Sequence, residues 1–382
     1  MKTDTETKKK EEQREPLFHI EKNPALSMPR AIGVRAAAIL LALIFCGLLT
    51  TILTGVNPID FYGQMIFGAF GTTDNFLVTV QHLSFLLCIS LAVTPAFKMK
   101  FWNTGAEGQV LMGGLATAIC MYYGKALPLW LLLILMFVSA MVAGALWGII
   151  PAFFKAHWDT NETLFTLMMN YVAMQLIIFF MRQWNKLSAG IDFYQLDPTG
   201  RIGAFFNGAT GVRKYIIYVI VVALITVFMH LYLKYSKHGY ELTVVGESRN
   251  TARYIGIDVK KVIIRTMALS GLVCGICGFL MVASAQNISS NTAGGMGFTA
   301  IMVSWLSKFN PVIMIFVSLF LAALDGGAIA VSTGLEISKS FSDIVTGILL
   351  FFIIGCEFFI QYKLVPTARL KALFKKNKED KQ

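Results

Sequence analysis

The chain has 382 residues, of which 56% are hydrophobic and 14% charged, with a mean hydropathy of +0.64 and a formal net charge of +11. That balance excludes an ordinary soluble domain and points to an integral membrane protein. The positive charge sits at the ends of apolar runs and in the tails, a pattern of membrane orientation rather than of a nucleic-acid partner.

Residues 1–35 are charged, of both signs and poor in apolar content, and are read as a mostly disordered cytoplasmic tail. No small-residue cleavage site follows the first apolar run, so that run is read as a retained anchor. The transmembrane domain is taken as residues 36–361, and residues 362–382 as a basic cytoplasmic tail.

Eight apolar runs are long enough to cross about 30 Å of hydrocarbon as helices: 36–54, 76–97, 127–150, 163–181, 215–233, 262–285, 311–331 and 341–360. Two others, 110–123 and 298–306, reach that length only if the Gly-rich polar stretches before them also enter the membrane. Together these make about ten spans, an all-α polytopic fold. The aromatic stretch NPIDFYGQMIFGAFG, with Phe61, Tyr62 and Phe67, reads as an interfacial segment on the outer side.

The loop 234–265 carries seven Lys or Arg against three acids, and the tail from Lys363 seven against two, which places both in the cytoplasm together with the N-terminus. The loop 182–214, with five Lys or Arg, falls outside on this count and runs against the rule. The two short, glycine-interrupted segments occupy corresponding positions in spans two to five and seven to ten, which suggests inverted repeats with a transport site where they meet.

Asn103, Glu107 and Gln109 in FWNTGAEGQ combine donors and acceptors with two glycines at membrane depth. They are read either as the wall of a polar pathway or as the capped first turn of a helix, with Glu107 favourable to its dipole. Asn170, two turns into the fifth span, and Asp325 in FLAALDGGAIAV are further pathway candidates, Asp325 with a pairing role as its alternative. Gln81 and His82 read as interhelical hydrogen-bond partners. The pair Cys274 and Cys277 lies in a purely apolar run and reads as helix packing, not as a metal or redox site.

In the basic loop, residues 247–255 read as a short helix started by Ser248 or Asn250 and stopped by Gly256. It serves either a cytoplasmic partner or the anionic headgroups. No phosphate-binding loop is present in the sequence, so ATP-driven transport would need its ATPase in another chain.

FWNTGAEGQVLMGG, DTNETLFTLMMNYVA, HGYELTVVGESRNTARYIGIDVKKV and GGMGFTAIMVSWLSKFNP, in this order, resemble the signature segments of the ABC-importer permease family for simple sugars and nucleosides, in its nucleoside-type branch. The similarity covers roughly residues 55–360. Its one departure is NETL at 161–164, where the family more often has a β-branched residue after the glutamate, and this bears on the substrate rather than on the family.

The resemblance implies a type II-like importer permease with no catalytic residue and no metal of its own. Its partners would be a second, different permease, two cytoplasmic ATPases that bind ATP and Mg, and an external substrate-binding lipoprotein. Gly246, Glu247, Arg249, Arg253, Tyr254 and Gly256 would then form the coupling element that docks on an ATPase. The rival is a proton- or sodium-coupled carrier titrating Glu107 or Asp325. A membrane enzyme is disfavoured, because the five histidines are scattered.

Overall fold

A computed structural model describes residues 18–22, 28–185, 193–197, 200, 212–335 and 337–366. Every expected span is a helix: α1 Met28–Thr54, α3 Thr73–Lys98, α4 Ala106–Tyr123, α5 Leu129–Trp158, α6 Glu162–Trp184, α7 Val212–Tyr235, α10 Val259–Ala285, α11 Met296–Leu306, α12 Pro311–Gly334 and α13 Lys339–Gln361. The aromatic stretch read as interfacial is helix α2, Pro58–Phe70, and the basic loop carries α8, Lys237–Glu247, and α9, Arg249–Tyr254. Among the described residues, seven helices are long and apolar enough to cross a membrane, while α4 is too polar and α11 and the apolar stretch Ile344–Ile360 of α13, expected as a full span, are too short to do so alone.

The chain divides into two units. One holds residues up to Met65 and from Ala328 onward. In it α1 packs on α13, Arg35 pairs with Glu357, and strand β1, Phe18–Lys22, runs antiparallel to β4, Tyr362–Pro366. This strand pair lies within the two segments that composition assigns to tails; residues 1–17 and 367–382 fall outside the described residues. The loop 182–214, which ran against the charge rule, also falls largely outside them.

The second unit, Ile66–Gly327, contains the buried core. Its centre is α10, 83% of whose most apolar window is buried, and α3, 67% buried. Such burial follows from small residues facing one another. A Cβ added at Gly271 would stand 2.1 Å from the Gly144 carbonyl oxygen, and one at Gly275 2.2 Å from that of Ala140, so the backbones of α5 and α10 touch. Close backbone approach of this kind is how helices associate in lipid, where hydrophobicity offers no drive. The thiols of Cys88 and Cys277 join the same packing, donating to the Val273 and Phe85 carbonyls at 3.7 and 3.6 Å.

The short helices are exchanged between the halves: α4 packs on α10, and α11 on α3. Each runs from a shared meeting point toward an opposite end of the bundle. The end of α11 meets the end of α3, through Thr94 and Ser304 at 2.9 Å and the rings of Phe97 and Trp305. The end of α4 meets the end of α6, where Tyr122 stacks on Trp184 at 4.9 Å, near the β2–β3 pair, Tyr194–Gln195 and Asn287–Ile288.

Candidate functional site

The beginning of α4 explains why polar residues and glycines interrupt the apolar sequence there. A helix N-terminus leaves backbone N–H groups without partners, and inside a bilayer no water replaces them. The N-cap of α4, Gly105, has no side chain to offer, and the first residues of α11 follow the turn of Gly294 and Gly295, with φ of +59° and +77°.

Glu107 resolves the second deficit. Its Oε1 accepts from the Gly295 N–H and its Oε2 from the Gly297 N–H, both at 2.8 Å. The carboxylate thus caps α11 while standing in the first turn of α4, at the positive ends of two helix dipoles. Gly297 is required by proximity, since a Cβ there would lie 2.6 Å from the Glu107 nitrogen.

Around this carboxylate the other polar residues form one connected set. Asn103 Nδ2 donates to Ser270 Oγ at 3.1 Å, and its Oδ1 accepts from Gly105 N at 3.1 Å and from Gln109 Nε2 at 3.4 Å. Asn170 accepts from the Gly108 N–H at 2.8 Å and donates to the Thr104 carbonyl at 2.9 Å. Asn103, Glu107, Gln109 and Asn170 are each at most 2% exposed. Ser270 lies eleven residues into α10, about 17 Å along a helix of about 40 Å, so the set sits at mid-depth.

Four of the five pathway candidates are therefore brought together, at the first turns of α4 and α11. The residues do sit against a break in the helices at membrane depth. In this conformation they fasten the two short helices to each other and to α6 and α10, and no side chain of the four is open to solvent. Asp325 stands apart, on α12, where its Oδ2 lies 2.9 Å from His82 Nδ1 on α3. Gln81 meets Ser284 of α10 at 3.0 Å, so both α3 residues make the interhelical contacts expected of them.

The element in the basic loop is two helices rather than one. Ser236 caps α8 by accepting from Gly239 N at 2.9 Å, Ser248 caps α9 by accepting from Thr251 N at 3.2 Å, and Gly256, φ +84°, turns the chain after it. Glu247 consequently ends α8 instead of opening the short helix, because the Ser248 cap breaks the helix between them. Leu242, Val245 and Ala252 are buried with Met99, Phe101, Val259 and Val262, which anchors the pair to the ends of α3 and α10. Gly246 lies against the end of α3, where a Cβ would stand 2.3 Å from the Lys98 carbonyl oxygen.

The coupling candidates divide by direction. Arg249 pairs at the surface with Asp159, 3.3 Å away, whereas Glu247, Arg253 and Tyr254 face solvent, Tyr254 at 92% exposure. Sequence reasoning missed the charges that seat the element. Lys155 bridges Asp159 at 2.7 Å and Glu162 at 3.0 Å, and Arg265 binds Glu241 at 2.8 Å. The Lys155 hydrogen bond holds the Asp159 carboxyl below its ordinary value, and the Arg265 hydrogen bond does the same for Glu241. Lys155–Asp159 has i,i+4 spacing, whereas Arg249–Asp159 and Arg265–Glu241 join residues 90 and 24 apart, which no local pattern announces.

The family described as branched-chain amino acid transport system / permease component matches residues 75–354. The glucose ABC transporter permease protein TsgB13 of Haloferax volcanii is 28% identical over 90% of this chain and 93% of its own length. The guanosine permease NupP of Bacillus subtilis is 28% identical over 80% of this chain and 88% of its own. The nucleoside permease NupB of Lactococcus lactis is 27% identical over 87% and 94%. A second guanosine permease of the same Bacillus strain, NupQ, matches 55% of this chain at 24% identity, over 67% of its own length.

Proposed function

Because the chain belongs to the family of permease components described as branched-chain amino acid transport systems, we propose that it is the membrane-spanning permease subunit of an ATP-driven ABC importer for nucleosides or related simple sugars. The relatives named for guanosine, nucleosides and glucose support that cargo class, and their shared ABC permease naming supports ATP coupling over a proton- or sodium-coupled carrier. An external binding protein delivers the solute, and the two guanosine permeases of one Bacillus support a heterodimer of permeases in the plasma membrane.

The observation that carries the coupling is the α8–α9 pair, whose inner face is packed and ion-paired while its tip is bare. A tyrosine exposed to 92% beside an exposed isoleucine and arginine is a surface made for a partner. On this reading two ATPase subunits, which bind ATP and Mg, receive α9. Closing on ATP, they push the tip formed by Arg253, Tyr254 and the neighbouring Glu247. The push passes through Gly246 to the end of α3 and through Arg249–Asp159 to the α5–α6 turn.

From that turn α6 reaches the membrane interior, where Asn170 holds Gly108. Asn103, Glu107, Gln109 and Asn170 would serve the pathway by fixing the two half-helices beside it, and Asp325 would meet the solute. The test is uptake of labelled nucleosides by cells carrying the full set of subunits. Arg253→Glu should abolish uptake while leaving the complex assembled, and undiminished uptake would refute the assignment of α9.

A further inference from the structure

Helix α6 has two faces of opposite character. One stripe, Thr166, Asn170, Ala173, Ile177, Met181 and Trp184, is buried and repeats every three or four residues, and with it α6 packs on α4 and α5. The opposite stripe, Met168, Tyr171, Val172, Gln175 and Phe179, is exposed. Tyr171 and Gln175 stand nine and thirteen residues beyond the start of α6, about 14 and 20 Å along a helix of about 35 Å. Both are thus at the depth of the hydrocarbon.

A side-chain amide is costly there without a hydrogen-bond partner. Among the described residues, Gln175 is the only amide exposed in the middle of a spanning helix, and no hydrogen bond joins it or Tyr171 to any of them. Acyl chains offer neither group a partner. A second helix would, but helices in lipid meet through small residues, as α5 and α10 do at Gly144, Gly271 and Gly275. The open stripe of α6 carries none, and its large side chains hold a neighbouring helix at a distance. The face therefore suits a gap with polar contents.

We propose that Tyr171 and Gln175 form a subsite for the base of a nucleoside in transit. The proposal rests on the reading of the chain as a nucleoside or sugar permease and narrows it to nucleosides. Residues four apart on a helix are neighbours, about 5–6 Å between Cβ atoms. A flat ring lying on the phenol of Tyr171 can therefore turn its edge to the amide. Unstacked bases are recognised in this way, by an aromatic face together with a hydrogen-bonding group at the edge. The amide oxygen accepts from a ring or exocyclic N–H while its nitrogen donates to a carbonyl or ring nitrogen, and guanine offers both kinds of group. Guanosine is the solute named for one relative and nucleosides for another. On its buried side the same helix holds Gly108 through Asn170, and Lys155 bridges its first residue, Glu162, so a tilt driven from that first turn moves the subsite.

The test measures ATP-driven guanosine uptake by the full complex in proteoliposomes, with the same external binding protein serving every variant. Tyr171→Leu and Gln175→Leu should each lower uptake at least about fivefold with the subunits still copurifying, and Tyr171→Phe, which keeps the ring, should stay near the parent. Parental uptake by either leucine variant overturns the subsite, and so does a Tyr171→Phe variant as weak as Tyr171→Leu.

A second readout does not depend on uptake. In Gln175→Cys, the introduced thiol should react with a water-soluble methanethiosulfonate, followed by mass spectrometry, and guanosine during ATP turnover should slow the reaction. A thiol that never reacts places the face against lipid or the second permease, and one that guanosine does not protect leaves a wet wall without a subsite; either result overturns the proposal. A parent complex that carries a sugar but no guanosine also overturns the subsite and leaves the importer reading standing. One that carries neither fails the proposed function itself, before any variant is compared.

Discussion

Glu107 shows how one side chain settles two structural debts. Its carboxylate serves backbone N–H groups of a helix 188 and 190 residues away in the chain. Replacing it by alanine orphans both donors in a dry interior, at a cost on the order of 1–3 kcal/mol for each. Glu107→Ala is expected to lower the thermal midpoint of the detergent-purified complex by several degrees and to reduce uptake, with the subunits still associating. An unchanged midpoint would show that water reaches the Gly295 turn. The sequence made this glutamate conspicuous, since charge at membrane depth needs a reason, but its partner could not be read. The glycines at 294–297 look like a plain turn until the fold brings α11 against α4.

At the scale of elements, the helices were legible because hydrophobic length is a local property, and the ends were less so. The interruption at Ser248 is a case in point: Val244, Val245 and Gly246 continue smoothly into α9 as composition, and only the hydroxyl cap on Thr251 N divides them. The α2 stretch was read as interfacial from its aromatic residues Phe61, Tyr62 and Phe67, and it is a helix of thirteen residues, too few to span. The seating of α8 on α10 was invisible because the pair that makes it, Arg265–Glu241, joins residues 24 apart.

Arg265 depresses the folded-state Glu241 carboxyl, so the pair stabilises above the ordinary carboxylate pKa and its contribution is lost as pH falls through the lowered folded value. The protection of α8 amides, measured as exchange relative to the intrinsic rate at each pH, is therefore expected to hold at neutral pH and to fall under acid. Arg265→Met should remove that acid step. A Gly246→Val variant should displace α8 from the end of α3, leaving ATP hydrolysis by the assembled complex but little uptake; normal uptake would mean that the 2.3 Å approach is not needed.

For the whole molecule, β1 and β4 join the two ends of the chain in five residue pairs, and Arg35–Glu357 joins the helices beside them. The pairing holds Phe18–Lys22 beside Tyr362–Pro366, and we propose that this side faces the cytoplasm, as the charge count expects. Reporter fusions at either end should both be active only in a cytoplasmic format, and opposite results at the two ends would exclude this topology. Composition alone placed the chain in the membrane, and the ordered set of motifs placed it in its family. The pairing of its tails lay beyond reach, since FHIEK and YKLVP are too short and too far apart to reveal one another.

Where α5 meets α10, carbonyl oxygens lie against alpha carbons with nothing between them to slip or flex. A seam so tight behaves as a keel: the pieces on either side of it tilt together or not at all. Any rocking that moves solute must then be taken up by parts hung from that spine, the capped linkers before α4 and α11 among them, and a bulkier residue wedged at Gly144 would split the hull before it stopped the pump.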